Sequence, residues 1–410
     1  MLTSAVDDAP RRRPDPAARK AAPERGAFGT ALGAFAVVTI AGMLALVLHA
    51  LGQHSPRFGP AFEGWAASTA DSPLAAARWF LGDMTEPQFY KSELAACGLL
   101  AGALLAWWAV WRGKHWAGQL TYGTGLWPWV LTSGSLSLLL SNVVFGRMLD
   151  DGWQPTFVPF VCVAPAVVLM YGPGWRTCVT GAVLGAFTIT PLALLLIPTV
   201  AVPLGLQPVV ANVLAMSLGS VLAFLVARKL PWLELRKWAP QAQPSQPPSG
   251  GNPVLKDALW TARRVLSDFT ETQFFANELA SAGVILGVAM AFVLNPALPS
   301  YGSALVPHIL FAQALTSAIG VVLWRRWYRN GGWAATYASL VSVAPAAVLA
   351  YDGSWQGIIG GALLGAVLAP PIARAISARL PEGFHPVIGN TAAMAISTAA
   401  TLPLLGLLPH

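Results

Sequence analysis

Long apolar blocks alternate with short polar segments along the whole 410-residue chain. A helix that rises about 1.5 Å per residue needs about 20 residues to cross a hydrocarbon core of about 30 Å. Because backbone groups in lipid must be hydrogen-bonded within their own segment, blocks of this length are predicted to be helices. The pattern predicts eleven spans, at 28–51, 94–111, 122–146, 156–172, 177–198, 208–227, 279–296, 304–324, 334–351, 356–376 and 386–408.

The composition agrees with this pattern. Hydrophobic residues make up 55% of the chain and charged residues only 10%, whereas a soluble domain carries about 25% charged residues. A soluble protein this apolar would have too few polar groups to cover its surface. The sequence therefore predicts an all-α, polytopic membrane protein.

Three blocks of sequence occur twice in the same order. DMTEPQFYKSELAACG (83–98) returns as DFTETQFFANELASAG (268–283), and QPVVANVLAM (207–216) returns as HPVIGNTAAM (385–394). Between them, VAPAVVLMYGPGWRTCVTGAVLGA matches VAPAAVLAYDGSWQGIIGGALLGA. The chain is therefore divided into a basic cytoplasmic tail (1–27), an extra span (28–51), repeat 1 (73–228), a Pro/Gln/Ser/Gly linker (231–258) and repeat 2 (259–410).

The positive charges indicate how the spans are oriented. The net charge is +7, and most of the Lys and Arg residues fall in alternate loops. Cytoplasmic loops are enriched in these residues, so the N-terminus is predicted inside and the C-terminus outside an inner (plasma) membrane. Since five spans is an odd number, the two repeats are expected to have inverted topology, and no nucleic-acid partner is expected.

Repeated polar residues are the candidates for function. Gln88 and Glu93 in repeat 1 correspond to Gln273 and Glu278 in repeat 2. An ionisable group at membrane depth is costly unless it is paired or hydrated, which makes it a functional candidate. The alternative is that both Glu residues lie at the membrane–water interface. Thr85 and Thr270 would then only cap surface helices.

A second repeated pair consists of asparagines placed four residues after a proline. Asn212 follows Pro208, and Asn390 follows Pro386. Broken helices surround the ligand in many transporters with inverted repeats, so both asparagines are candidate pathway residues. The alternative is a proline at an ordinary helix start and an asparagine that bonds a neighbouring helix.

The stretches Gln88-Phe89-Tyr90 and Gln273-Phe274-Phe275 resemble the Gln-Val-Phe-Phe-like stretch that precedes a span in each half of urea transporters. The late proline element of that family is similar to 206–212 and 384–390, although its second Pro and its Thr are missing here. The resemblance implies two inverted halves of five spans, each with an extra helix facing the pore. It does not imply that urea is the substrate.

These features predict a channel or secondary transporter that moves a small polar solute, with or without a coupling ion, along the interface of the two repeats. The predicted pathway residues are Gln88, Glu93, Asn212, Gln273, Glu278 and Asn390. One alternative is a membrane-embedded enzyme acting on a lipid-linked substrate, with Asp83 and Glu86 as acid and base; another is a scaffold that does not transport. Because the chain has no phosphate-binding glycine motif and no metal-ligand or hydrolase motif, we expect no enzyme activity, no cofactor and no metal. The expected partners are the lipid bilayer and the solute, and a homo-oligomer is compatible with the sequence.

Overall fold

The computed structural model describes residues 26–149, 152–236, 252–329 and 333–408. Most of the predicted basic tail and residues 237–251 of the predicted linker lie outside the described residues. Within the described ranges every regular element is a helix. The helices are α1 Ala27–Gln53, α2 Trp65–Ser68, α3 Pro73–Asp83, α4 Glu93–Trp111, α5 Trp127–Phe145, α6 Val163–Tyr171, α7 Trp175–Leu196, α8 Pro208–Ala227, α9 Pro253–Asp268, α10 Glu278–Leu294, α11 Val306–Leu323, α12 Arg325–Arg329, α13 Thr336–Leu340, α14 Val343–Ala350, α15 Gly361–Ser377 and α16 Val387–Leu405.

Eight helical segments are long and apolar enough to cross a membrane. They are Ala27–Gln53, Glu93–Trp111, Trp127–Phe145, Trp175–Ala201, Pro208–Ala227, Val306–Leu323, Gln356–Ser377 and Val387–Leu405. Three further apolar helices, Val158–Tyr171, Glu278–Leu294 and Thr336–Ala350, are shorter. The fold is therefore that of an all-α membrane protein, and the count of eleven crossings stays a prediction.

Side-chain caps fix where α4 and α10 begin. The Ser92 side chain accepts a hydrogen bond from Ala95 N at the start of α4, and the Asn277 side chain accepts from Leu279 N and Ala280 N at the start of α10. Such caps satisfy backbone donors that have no partner within the helix. The capping side chains Ser92 and Asn277 are themselves fully buried, so the protein supplies these acceptors in place of water.

Helices α4 and α10 cross in direct backbone contact. A Cβ added to Gly98 would lie 2.1 Å from Gly283 O, and one added to Gly283 would lie 2.1 Å from Gly98 O. On either side of this point, Gly102 faces Leu279 O and Gly287 faces Leu94 O. Rising residue numbers in one helix meet falling numbers in the other, so these two sequence-related helices are antiparallel. Small residues allow so close a crossing.

Hydroxyl side chains join other helices in each half. Ser137 Oγ of α5 donates to Ala182 O of α7 at 2.8 Å, and Thr316 Oγ1 of α11 donates to Ala362 O of α15 at 2.9 Å. Between the halves, Ser217 Oγ of α8 donates to Ile388 O of α16 at 3.1 Å. These bonds pair buried polar groups that would otherwise be costly in an apolar interior.

We predict that Gly98→Ala and Gly283→Ala each lower the free energy of unfolding by about 1–3 kcal/mol, because the added methyl group overlaps a backbone oxygen. Thermal unfolding of the detergent-solubilised protein measures this change. Gly42→Ala is the matched control, since its Cβ would lie 3.5 Å from the Phe311 ring, an ordinary contact. Melting of all three variants at the wild-type temperature would contradict the close crossing.

Candidate functional site

The two related polar segments, 83–93 and 268–278, lie buried between the halves. Each segment turns back on itself through residues with positive φ, at Phe89 (65°) and Lys91 (42°) in the first and at Phe274 (63°) and Ala276 (46°) in the second. A threonine side chain closes each turn: Thr85 Oγ1 donates to Ser92 O at 3.1 Å, and Thr270 Oγ1 donates to Asn277 O at 3.2 Å. The segments therefore enter the protein and are not surface helices.

Gln88 and Gln273 bond directly to each other. Gln88 Nε2 donates to Gln273 Oε1 at 2.8 Å, and Gln273 Nε2 donates to Gln88 Oε1 at 2.9 Å. The second N–H of Gln88 reaches Phe269 O at 2.6 Å, and that of Gln273 reaches Met84 O at 3.1 Å. The four bonds are equivalent in pairs, so the two glutamines form the centre of the contact between the repeats. Both were predicted to line a pathway, but neither lines the two cavities described below.

A buried carboxylate pair with one cation flanks this centre in repeat 1. Lys91 Nζ pairs with Asp83 and lies 2.6 Å from Glu86 Oε2, and all three side chains are fully buried. The same ammonium lies 3.5 Å from the centre of the Trp79 ring. A buried cation is tolerated when it is paired and hydrogen-bonded in this way.

Repeat 2 has the same arrangement of charges, but its cation comes from a different position in the chain. Arg264 contacts both Asp268 and Glu271. The position that matches Arg264 in repeat 1 is occupied by Trp79, and the position that matches Lys91 in repeat 2 is occupied by Ala276. Each half therefore holds two carboxylates and one cation, although neither cation is repeated in the sequence.

Further donors hold the two glutamates. Trp153 Nε1 donates to Glu86 Oε1, as does Tyr301 OH at 3.1 Å. Trp333 Nε1 donates to Glu271 Oε1 at 2.9 Å. Burial raises the pKa of the Glu86 and Glu271 carboxyls above the ordinary range, against the lowering by the Lys91 ammonium and the Arg264 guanidinium. Both carboxyls consequently hold a proton more readily than a surface glutamate does.

The predicted pathway residues Glu93 and Glu278 lie in ion pairs at the beginning of α4 and α10. Arg78 Nη2 is 2.6 Å from Glu93 Oε1, and Arg263 Nε is 2.7 Å from Glu278 Oε1. These side chains are partly exposed, and neither glutamate lines the two cavities described below. The structure thus does not bring them together with the glutamine pair.

The two predicted asparagines occupy matching positions in different surroundings. Asn212 lines a cavity, whereas Asn390 Nδ2 donates to Tyr337 OH at 3.1 Å. Among the described residues, the Oδ1 atoms of Asn212 and Asn390 have no hydrogen-bond partner. A buried acceptor without a partner is unusual, and that of Asn212 belongs to a residue of the cavity wall.

The cavity beside Asn212 has a volume of about 300 Å³. Both members of three sequence-related pairs contribute to its wall, so it lies across the interface of the halves: Pro87 with Thr272, Val161 with Val341, and Met216 with Met394. The other lining residues are Phe62, Glu86, Phe89, Trp153, Phe157, Gln207, Pro208, Val209, Asn212, Val213, Tyr301, Ala346 and Leu349.

A second cavity of about 490 Å³ adjoins the first. Phe62, Trp153 and Tyr301 line both cavities, so these three aromatic side chains form the boundary between them. Glu63 is the charged residue on the wall of the second cavity. The second cavity therefore lies against the aromatic side of the first.

Sequence reasoning missed several residues of this site. Repetition could have revealed Trp153 and Trp333, which are 180 residues apart, and Arg78 and Arg263, which are 185 apart. Repetition could not have revealed Lys91 and Arg264, because neither has a counterpart of the same type. Among the described residues, no group of three or more His, Cys, Asp and Glu side chains could hold a metal ion.

No protein-family model, curated protein or solved structure is significantly similar to this chain. The class of protein is therefore inferred from the sequence and the structure alone. It is a helical membrane protein with a cavity between its two sequence-related halves and a buried, charged cluster in each half.

We predict that Lys91→Met lowers the free energy of unfolding by about 3–5 kcal/mol, because it leaves two buried carboxylates without their cation. The double variant Lys91→Met/Glu86→Gln should melt at a higher temperature than Lys91→Met, since one of those charges is then removed. Thermal unfolding in detergent measures both.

Arg78→Met is the matched control, because it breaks a partly exposed ion pair that contributes about 1 kcal/mol or less. If Lys91→Met were no more destabilising than Arg78→Met, the buried ion pairs of Lys91 would not be needed for the stability of the fold.

Proposed function

We propose that this protein is a secondary transporter or channel that moves a small solute along the interface of two inverted repeats. The observation that carries the proposal is the cavity whose wall contains both members of three sequence-related pairs. In transporters built from inverted repeats, the substrate site lies at the repeat interface near the middle of the membrane. A scaffold would need no such cavity.

The contacts between the halves support the inversion. The related helices α4 and α10 are antiparallel where their glycines meet. Backbone bonds between the halves are also exchanged in pairs: Thr121 N donates to Phe275 O at 2.8 Å, and Ser300 N donates to Tyr90 O at 2.7 Å. A two-fold axis that makes equivalent helices antiparallel is perpendicular to those helices, and for membrane-spanning helices it lies in the membrane plane.

The interface differs at two positions that match in the repeats. Beside Glu86 it holds the cavity, which is lined there by Phe157 and Gln207. At the matching place in repeat 2, Tyr337 OH bonds Asn390, and the His385 ring packs 5.6 Å from the Phe274 ring. This difference between the two matching regions favours a transporter that opens to one face at a time over a permanently open channel.

The contacts of Asp83 do not favour the enzyme alternative. Asp83 is fully buried, and its oxygens contact Lys91 Nζ, Thr156 Oγ1 at 2.6 Å and Asn142 Nδ2 at 2.9 Å. A general acid or base must come within hydrogen-bond reach of its substrate, and Asp83 does not line either cavity. We therefore propose transport without catalysis, in an inner (plasma) membrane, with the N-terminus cytoplasmic and the C-terminus outside.

The pathway can be tested by filling the cavity. We predict that Met216→Trp abolishes solute flux in proteoliposomes, because the larger side chain occupies the space between the halves. Leu222→Trp is the matched control, since Leu222 lies on the same helix and is exposed on its outer face.

Uptake of radiolabelled urea, glycerol, ethanolamine, choline and lactate measures the flux. The proposal predicts that at least one of these solutes enters faster than into empty liposomes, and that Met216→Trp, but not Leu222→Trp, removes the difference. Failure of all five solutes to enter faster, or unchanged flux through Met216→Trp, would contradict the proposal.

A further inference from the structure

The cavity between the halves has an aromatic wall. Phe62, Phe89, Trp153, Phe157 and Tyr301 all line it. The rings of Phe62 and Tyr301 meet edge to face at 5.6 Å, those of Phe89 and Tyr301 at 6.3 Å, and the Trp153 and Phe157 rings are 6.3 Å apart. The wall is thus built from contacting rings, whose faces carry partial negative charge.

A carboxylate with an incompletely balanced charge belongs to the same wall. Glu86 lines the cavity, and Asp83 lies behind it on the shared ammonium of Lys91. Two carboxylates against one ammonium leave one negative charge when both are ionised. The cavity lining contains no lysine, arginine or histidine among the described residues, so whatever balances this charge, either a proton on Glu86 or a bound cation, comes from outside the protein.

The wall distinguishes between kinds of cation. A metal ion that loses its water needs about six oxygen ligands from the protein. The aromatic side chains of the wall supply almost no oxygen ligands. An alkylated ammonium group instead gains from ring faces within about 6 Å, and tryptophan is the most favourable ring. The protein already holds an ammonium in this way, since Lys91 Nζ lies over the Trp79 ring beside the same carboxylates.

The size and remaining polarity of the cavity limit the ligand further. A volume of about 300 Å³ lies at the lower end of the range of about 300–1,000 Å³ found for small-molecule sites. Asn212 lines the cavity and has a buried side-chain oxygen with no partner among the described residues, so a hydroxyl group of the ligand that reached this oxygen would satisfy it. The site therefore suits a compact cation that carries one polar substituent.

We propose that the cavity binds a small organic monocation of the alkylated-ammonium class, with its cationic group against Trp153 and Tyr301 and with Glu86 as its counter-charge. This inference rests on the proposed function, because it names the class of solute that the pathway would carry. It also modifies the expectation of a generic polar solute, since most of the wall is apolar.

The test is equilibrium binding to the full-length protein in detergent. Choline is the probe, and 3,3-dimethyl-1-butanol, which has the same shape without the charge, is the matched ligand. Competition against radiolabelled choline should show choline binding at least tenfold more tightly than the neutral isostere, a difference of about 1.4 kcal/mol. Equal affinities would overturn the proposal, because the cavity would then be recognising only apolar shape.

Variants locate the site. Glu86→Gln should weaken choline binding at least tenfold and Met216→Trp should abolish it, whereas Glu234→Gln, at an exposed position away from the cavity, should bind as the wild type does. Wild-type binding by Met216→Trp, or by a folded Glu86→Gln, would overturn the proposal. If Glu86→Gln does not fold, the proposal is still tested by Met216→Trp and by the comparison of choline with 3,3-dimethyl-1-butanol.

Binding and flux separate this inference from the proposed function. If choline fails to bind while Met216→Trp blocks the flux of another solute, only the ligand class is wrong. If choline binds in the cavity but no solute crosses the membrane, transport is wrong and the binding site stands.

Discussion

The reciprocal hydrogen bonds between Gln88 and Gln273 hold the two halves of this protein in register. Each amide donates two N–H bonds and accepts one from the other amide. A buried amide that loses its partner costs about 1–3 kcal/mol, and neither lipid nor the surrounding apolar side chains could replace the lost bond. The pair consequently fixes how segments 83–93 and 268–278 meet, and with them the position of each charged cluster.

Charge balance is the second constraint, and the halves satisfy it differently. Repeat 1 uses Lys91 on the turn before α4, and repeat 2 uses Arg264 on α9. The residue types at the two cation positions are thus not repeated, while the arrangement of two carboxylates with one cation is. The requirement is electrostatic: buried carboxylates need a cation within contact distance, and either position can provide it. The halves also differ beside these clusters, with a cavity next to Glu86 and a hydrogen bond from Asn390 to Tyr337 at the matching position.

The sequence predicted the helical segments from local patterns and singled out Gln88 and Gln273 as pathway residues, but the two glutamines bond each other and line neither of the two cavities. Apolar blocks mark helices in lipid, and repetition marks Gln88 and Gln273. The surroundings of Glu93 and Glu278 depend on tertiary structure. Their partners Arg78 and Arg263 lie 15 residues earlier in the chain, each on the preceding helix. The aromatic wall of the cavity could not be predicted from the sequence either. Phe62, Trp153 and Tyr301 come from three distant segments, and no periodic pattern links them.

Inverted orientation of the two repeats is the claim on which the transport account depends, and cysteine accessibility tests it most directly. Lys229 and Leu407 are exposed, each two residues past the end of the related helices α8 and α16. In a background without Cys97, Cys162 and Cys178, Lys229→Cys and Leu407→Cys are labelled in spheroplasts with a membrane-impermeant maleimide. The account predicts that Leu407→Cys reacts from outside and that Lys229→Cys reacts only after permeabilisation. Reaction of both cysteines from the same side would contradict it.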